Sequence, residues 1–311
     1  MNQENPLVSI IVITYNSAKY VVETLESTKA QTYQNIELIV SDDCSTDETV
    51  ESCRNWLNLN KGRFVRTKLI TSDRNTGIPA NCNRGLFEAT GEWLKFIAGD
   101  DILYSSGIMQ AIKFIQTNPA IVIFDSIVDI YNDDLSILYE RKTGNTQFYT
   151  KSKTAQEQLV LFSNNLNKPR IISTVGIFVK NVLFRELGGY NLTFPLLEDA
   201  PMWFKVLKSG HKIHYLPSPT VKYRKHQDGV SYMKSSQILI NQFQLTVNKF
   251  MWNYLYKECT LINKLEIIWN NIFSKLIILL GNKGIIPGII LRFRNKFSPS
   301  AIFNKLSYIT K

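Results

Sequence analysis

The 311-residue chain has little cysteine: four residues, Cys44, Cys53, Cys82 and Cys259. None stands in a CxxC pair or at metal-ligand spacing, which excludes a zinc ribbon or finger. The thiols read as reduced, in a cytosolic setting. No run approaches the roughly 20 apolar residues of a membrane span. The N-terminus shows neither a basic region before "VSIIVITYN" nor a small-residue cleavage site after it, so no signal peptide is expected. Internal repeats and low-complexity linkers are also missing. Acids are scarce in one region. From Asn241 to Lys311 there are ten Lys/Arg and two Glu, which leaves +8 of the net +10 in the tail and +2 in residues 1–240. A nearly neutral body with a basic tail argues against a nucleic-acid groove and for a local anionic partner.

What is present describes a folded protein, with 44% apolar and 20% charged residues. "VSIIVITY" (8–15) and "IELIVSDD" (36–43) are β-branched runs of the kind buried on both sheet faces. "VRTKLITS" and "EWLKFIAG" are further strands. Helical spacing fills the intervals: "SAKYVVETLESTKAQ", then "TVESCRNWL" behind a capping-box pattern "STDE" (45–48), then "PANCNRGLFEAT" with Pro79 at its start. This alternation predicts a mixed, mostly parallel α/β sheet flanked by helices. Farther on, "SSGIMQAIKFIQTNP" is a helix, and "IVIFDSIVDIY", "LSILYE" and "IISTVGIFVK" are strands. "NVLFRELGG" and "LLEDAPMWFKVLKSG" are helices, and "KIHYLP" and "TVKYRKH" are two short strands. Residues 141–170 are irregular or partly helical. The predicted division is a sheet domain over 1–232, with halves at about 1–104 and 105–232, and a helical tail over 233–311.

Ligands of such sheets sit outside the carboxyl ends of the strands. The exits here are Thr14-Tyr15-Asn16, Asp42-Asp43, Ser72-Asp73-Arg74-Asn75 and Asp100-Asp101. Two adjacent carboxylates repel unless a cation neutralises them, and a hard divalent ion can also bridge phosphates. Tyr15 offers a ring for stacking, and Asp43 can accept from a base N–H. Taken singly, each has a plain alternative as a helix cap or packing residue. Their shared edge points to a nucleotide-phosphate pocket with a metal.

Three ordered blocks carry a resemblance: "VSIIVITYNSAKYVVETLESTKAQTYQNIELIVSDDCSTDETVE", "NTGIPANCNRGLFEATGEWLKFIAGDD" and "ELGGYNLTFPLLEDAPMWFKVLKSG". Together they resemble family 2 glycosyltransferases over about residues 7–230. The resemblance implies a GT-A (Rossmann-like) fold, a UDP-type sugar donor and inverting transfer to a saccharide or lipid-linked saccharide, in bacterial surface polysaccharide synthesis. It implies Mn2+ or Mg2+ as cofactor. It places Thr14, Tyr15, Asp43, Arg74, Asn75, Asn83 and Asp100 against the donor. Asp101 and Asp100 would hold the metal, with His226 completing its shell from a closing loop and Arg224 or Lys225 touching phosphate. Asp199 would be the general base, its charge favoured by a helix N-terminus, with Glu198 and Trp203 on the acceptor side.

One departure stands out. The family often writes Asp-x-Asp-Asp where this chain has Ala98-Gly99-Asp100-Asp101, so the first acid is missing. Two other classes compete. A nucleotidyltransferase would want a glycine-rich phosphate loop near the first strand, and "VITYNSAKY" has no glycine. A non-catalytic sugar- or nucleotide-binding module, or a membrane-associated scaffold, would need no base. The tail mixes lysines with Trp252, Trp269, Phe273, Phe293 and Phe297, which suits an anionic bilayer surface as well as an ordinary helical subdomain. The expected location is cytoplasmic, peripheral on the inner face of the membrane, with no nucleic-acid partner.

Overall fold

The structure, a computed structural model, describes residues 5–144, 147–165, 172, 174–226 and 238–309, without the side chains of 304 and 306–309. Four parallel strands form its first layer: β1 (Val8–Thr14), β2 (Ile36–Asp42), β3 (Arg66–Thr71) and β4 (Trp93–Ala98). They lie in the order β3-β2-β1-β4. Val8, Ile10, Ile11 and Val12 of β1 are fully buried, as are Ile36, Leu38, Ile39 and Val40 of β2. Burying each such side chain is worth roughly 1.5–3 kcal/mol, which is why these runs occupy the sheet centre. Helices α1 (Val21–Lys29), α2 (Thr49–Asn60) and α3 (Ile78–Glu88) make the crossovers.

Pairing register fixes the functional edge. Thr14 lies opposite Asp42, Asp42 opposite Thr71, and Ile13 opposite both Ser41 and Ala98. The loops leaving β1, β2, β3 and β4 therefore start level with one another.

The sheet continues through β8 (Phe178–Lys180), β6 (Ile123–Tyr131), β9 (His214–Arg224) and β5 (Ile102–Leu103), with β7 (Leu138–Lys142) beside β6. β4 and β8 are antiparallel, as are β8 and β6, whereas β6 and β9 are parallel. β5 and β9 pair antiparallel, with Ile102 opposite Lys222. α4 (Gly107–Thr117), α6 (Asn181–Glu186) and α7 (Asp199–Lys208) complete this part, and α5 (Ala155–Asn164) begins in it.

Several expectations are corrected. "KIHYLP" and "TVKYRKH" form one strand, β9. Pro217 and Pro219, which lack an N–H, fall where its register with β6 shifts. Among the described residues of "IISTVGIFVK", the strand is Phe178–Lys180, after a tight turn at Thr174–Gly176. The "STDE" capping box does not form. Ser45 is engaged by Asp42, and Asp47 accepts the Thr49 N–H (3.0 Å) instead.

The described residues fall into two compact units, one within Met1–Gln158 and Arg170–Gln227, the other within Leu159–Pro169 and Asp228–Lys311. The second contains α8 (Gln242–Phe250), α9 (Leu261–Leu279), α10 (Ile285–Lys296) and α11 (Pro299–Ile309). Asn164 belongs to it because its side chain accepts from Thr260 N–H and Asn263 Nδ2, both at 2.8 Å. None of the described helices is long and apolar enough to cross a membrane.

Candidate active site

The β1 and β2 exits are knitted together. Thr14 is buried, and its hydroxyl donates to Asp42 Oδ2 at 2.8 Å. Asp42 Oδ1 accepts the Ser45 N–H at 2.8 Å, and the Asn16 side chain accepts the Thr46 N–H at 2.8 Å. Thr14 and Asp42 thus shape the loop from within, while Tyr15, 49% exposed, stands open at the rim.

Asp43 is buried and surrounded by donors: Thr76 Oγ1 (2.7 Å), Gly77 N–H (2.7 Å) and Arg84 Nη2 (2.6 Å). Burial alone would push its carboxyl up, but these bonds outweigh it and hold the group below the usual range. Asp43 therefore anchors the loop carrying Arg74 and Asn75, both exposed. Arg84 was not singled out from the sequence. It lies 41 residues from Asp43, and nothing local marks the pairing. Asn83 donates to Tyr190 O (2.9 Å) and accepts from Tyr190 N–H (2.8 Å). This clamp requires Gly189, at φ +70°, where a Cβ would stand 2.5 Å from Asn83 Oδ1.

The acid pair is reached by β9. The antiparallel pairing of β5 with β9, Lys222 opposite Ile102, brings the end of β9 to the acid pair. Arg224 N–H donates to Asp101 Oδ1 at 2.9 Å, and His226 Nε2 lies 2.9 Å from Asp100 Oδ2. The His226 ring packs on Tyr20, centroids 4.7 Å apart. Arg224 is itself buried. Its guanidinium bonds Asp100 O (2.8 Å), Asp133 O and Glu23 (2.6 Å), so it braces the corner rather than reaching outward to a phosphate as expected. The rest of the loop "YRKHQDGVS" expected to close with His226, residues 227–231, lies outside the described residues.

Asp101 is fully buried, and its Oδ2 has no hydrogen-bond partner. Burial, and next the charge of Asp100, push its carboxyl well above the ordinary range. An orphaned buried carboxylate oxygen is costly unless a cation or donor meets it. Among the described residues no group of three or more His, Cys, Asp or Glu is gathered to hold a metal by itself. One or two carboxylates nevertheless suit Mn2+ or Mg2+ when substrate phosphates supply the remaining oxygens, and an imidazole beside them suits a transition ion such as Mn2+ better than Mg2+.

Asp199 opens α7. Its Oδ2 accepts from Thr174 Oγ1 at 2.9 Å and its Oδ1 from Ala200 N–H at 2.6 Å. Thr174 was also missed in sequence. Its turn is held by Lys95 of β4, fully buried, whose ammonium donates to the carbonyls of Val175 and Ile177. Burial brings the Lys95 amine down to about 7. Glu198 is pushed up to about 7, by burial first and by Asp199 next. Trp203 is buried and packs on Phe184, so it supports α7 from beneath.

A mostly parallel sheet with acids, an exposed ring and a helix-borne carboxylate at its carboxyl end defines an α/β enzyme of the nucleotide-binding class. Comparison sharpens this: the model of glycosyl transferase family 2 matches residues 9–176. The chain belongs to that family and is a glycosyltransferase with a GT-A-type mixed sheet. It is 28% identical over 237 residues to Escherichia coli WfaP, a UDP-Glc:alpha-D-GlcNAc-diphosphoundecaprenol beta-1,3-glucosyltransferase, covering 75% of this chain and 83% of that one. An uncharacterized Haemophilus influenzae glycosyltransferase is 29% identical over 228 residues, 73% of this chain and 68% of its own. In fold the chain is similar to S. aureus TarS in complex with UDP-GlcNAc, at TM-score 0.59 and 20% identity, covering 84% of this chain and 70% of that one. It is likewise similar to the Pyrobaculum calidifontis mannosyltransferase PcManGT in complex with GDP-Man and Mn2+, at TM-score 0.53 and 18% identity, covering 96% and 69%.

Proposed function

We propose that the chain is an inverting, metal-dependent glycosyltransferase that moves a sugar from a UDP-sugar to a saccharide or lipid-linked saccharide in bacterial surface polysaccharide synthesis. The observation that carries this reading is the buried Asp101 Oδ2, left without a donor beside the Asp100–His226 pair at the carboxyl edge of the sheet. The WfaP and TarS likenesses support the donor and acceptor classes.

In this reading Tyr15 lies against the base, and the Asp43-anchored loop presents Arg74 and Asn75 to the nucleotide. Thr14 and Asn83 act by shaping that pocket. Asp101, Asp100 and His226 would hold Mn2+ or Mg2+, which would supply positive charge against the diphosphate. Lacking the first acid of the usual block, the chain leans on His226. Asp199 takes the proton of the acceptor hydroxyl as it attacks, and Thr174 fixes the orientation of its carboxylate. Glu198 and the Trp203-backed start of α7 face the acceptor. The basic tail keeps the enzyme at the inner face of the membrane, and residues 1–232 form the catalytic domain.

Calorimetry of UDP with and without Mn2+ tests the pocket. The expected result is binding that strengthens with the metal. Equal affinity in chelator would remove the metal role of Asp101.

A further inference from the structure

The second unit carries an apolar surface at one helical hairpin. α9 ends and α10 begins on either side of the turn 280–284. Leu279 and Ile285 are each 82% exposed and Ile286 is 65% exposed, with Leu280 and Ile289 beside them also exposed. This tip is built rather than frayed. Asn282 N–H donates to Ile277 O at 2.9 Å, closing α9. The Asn282 side chain then accepts from Ile240 N–H and donates to Ile240 O, both at 2.8 Å. Behind the tip, Trp269 packs on Phe273 (centroids 4.4 Å) and Phe293 on Phe297 (4.8 Å), and Trp269 Nε1 donates to Arg294 O at 3.0 Å. The pairing of α9 with α10 is therefore fixed while its end projects apolar side chains.

Charge decides what covers them. Residues 267–311 contain seven Lys/Arg and no Asp or Glu. Lys275, Lys283, Arg292 and Lys296 are exposed, with Lys283 in the turn itself. Two copies of so basic a surface would repel, whereas an anionic bilayer offers both an acyl region and phosphates.

We propose that the tip enters the surface of an anionic bilayer. Leu279, Leu280, Ile285 and Ile286 reach the acyl boundary, and Lys275, Lys283, Arg292 and Lys296 meet lipid phosphates. The unit lies on the membrane without crossing it. This deepens the lipid-linked-acceptor reading and rests on it, because it names the surface at which such an acceptor is met.

The test is co-sedimentation of the full chain with phosphatidylcholine vesicles, with and without about one-third phosphatidylglycerol. The wild type is expected to pellet with the anionic vesicles alone. Leu279→Ser combined with Ile285→Ser should weaken that binding at least tenfold and leave UDP-sugar hydrolysis without vesicles unchanged. Wild type remaining in the supernatant overturns the proposal, as does a double variant that binds equally well. A wild-type dimer in light scattering that the double variant dissolves assigns the face to a second copy and also overturns it. Absent hydrolysis by a wild type that still pellets counts against the glycosyltransferase reading and leaves the insertion tip standing.

Discussion

Two carboxylates that are neighbours in sequence, Glu198 and Asp199, occupy different environments. Asp199 has two donors on it, and Asp199→Asn is expected to lower sugar transfer by about 10²–10⁴-fold while sparing the Kd for UDP. Steady-state rates alongside calorimetry check this. Glu198 is pushed from 4.5 up to about 7. Between those values the folded state keeps a proton that the unfolded state gives up, so stability falls as pH rises through this window and stays lower above it. Glu198→Gln should remove that loss, worth on the order of 3 kcal/mol. Thermal unfolding at acidic and alkaline pH should show the variant gaining on the wild type only at the higher pH. The positions of Asp43, Asp101 and Asp199 were legible from sequence because each follows an apolar run or opens an amphipathic one. Their partners were not: Arg84, Thr174 and Arg224 meet them across long stretches of chain, and no local pattern records that.

At the scale of elements, the central strands were legible because burial on both faces leaves a continuous β-branched run. β9 was not, because its two prolines read as breaks and the register shifts that absorb them are tertiary. Yet β9 is the element that brings Arg224 and His226 to the acid pair. The turn 174–176 is similarly hidden. Lys95 pins its carbonyls from β4, and Thr174 passes that placement on to Asp199. Thr174→Val should lower transfer about 10–100-fold with UDP affinity unchanged, since a hydrogen bond to a charged group is worth about 1.5–3 kcal/mol. Lys95→Met should cause a similar loss without altering the far-ultraviolet circular dichroism. A change confined to KM for the donor would argue against this path.

For the whole molecule, charge is divided as unevenly as function. A nearly neutral sheet unit carries the acids, and a basic helical unit carries the apolar hairpin. Attachment through that hairpin should weaken steeply with salt, since surface ion pairs are screened within about 8 Å at physiological ionic strength. Vesicle binding measured across a salt series reads this directly. The central claim remains that the β4 exit and the β9 end together form a metal-assisted nucleotide-sugar site. UDP release from a panel of UDP-sugars, followed with Mn2+ for the wild type and for Asp101→Asn, tests it most directly. The account predicts release by the wild type with at least one donor, abolished by chelator and by the substitution while the fold is retained. Equal release by Asp101→Asn, or none from any nucleotide sugar by the wild type, would contradict it.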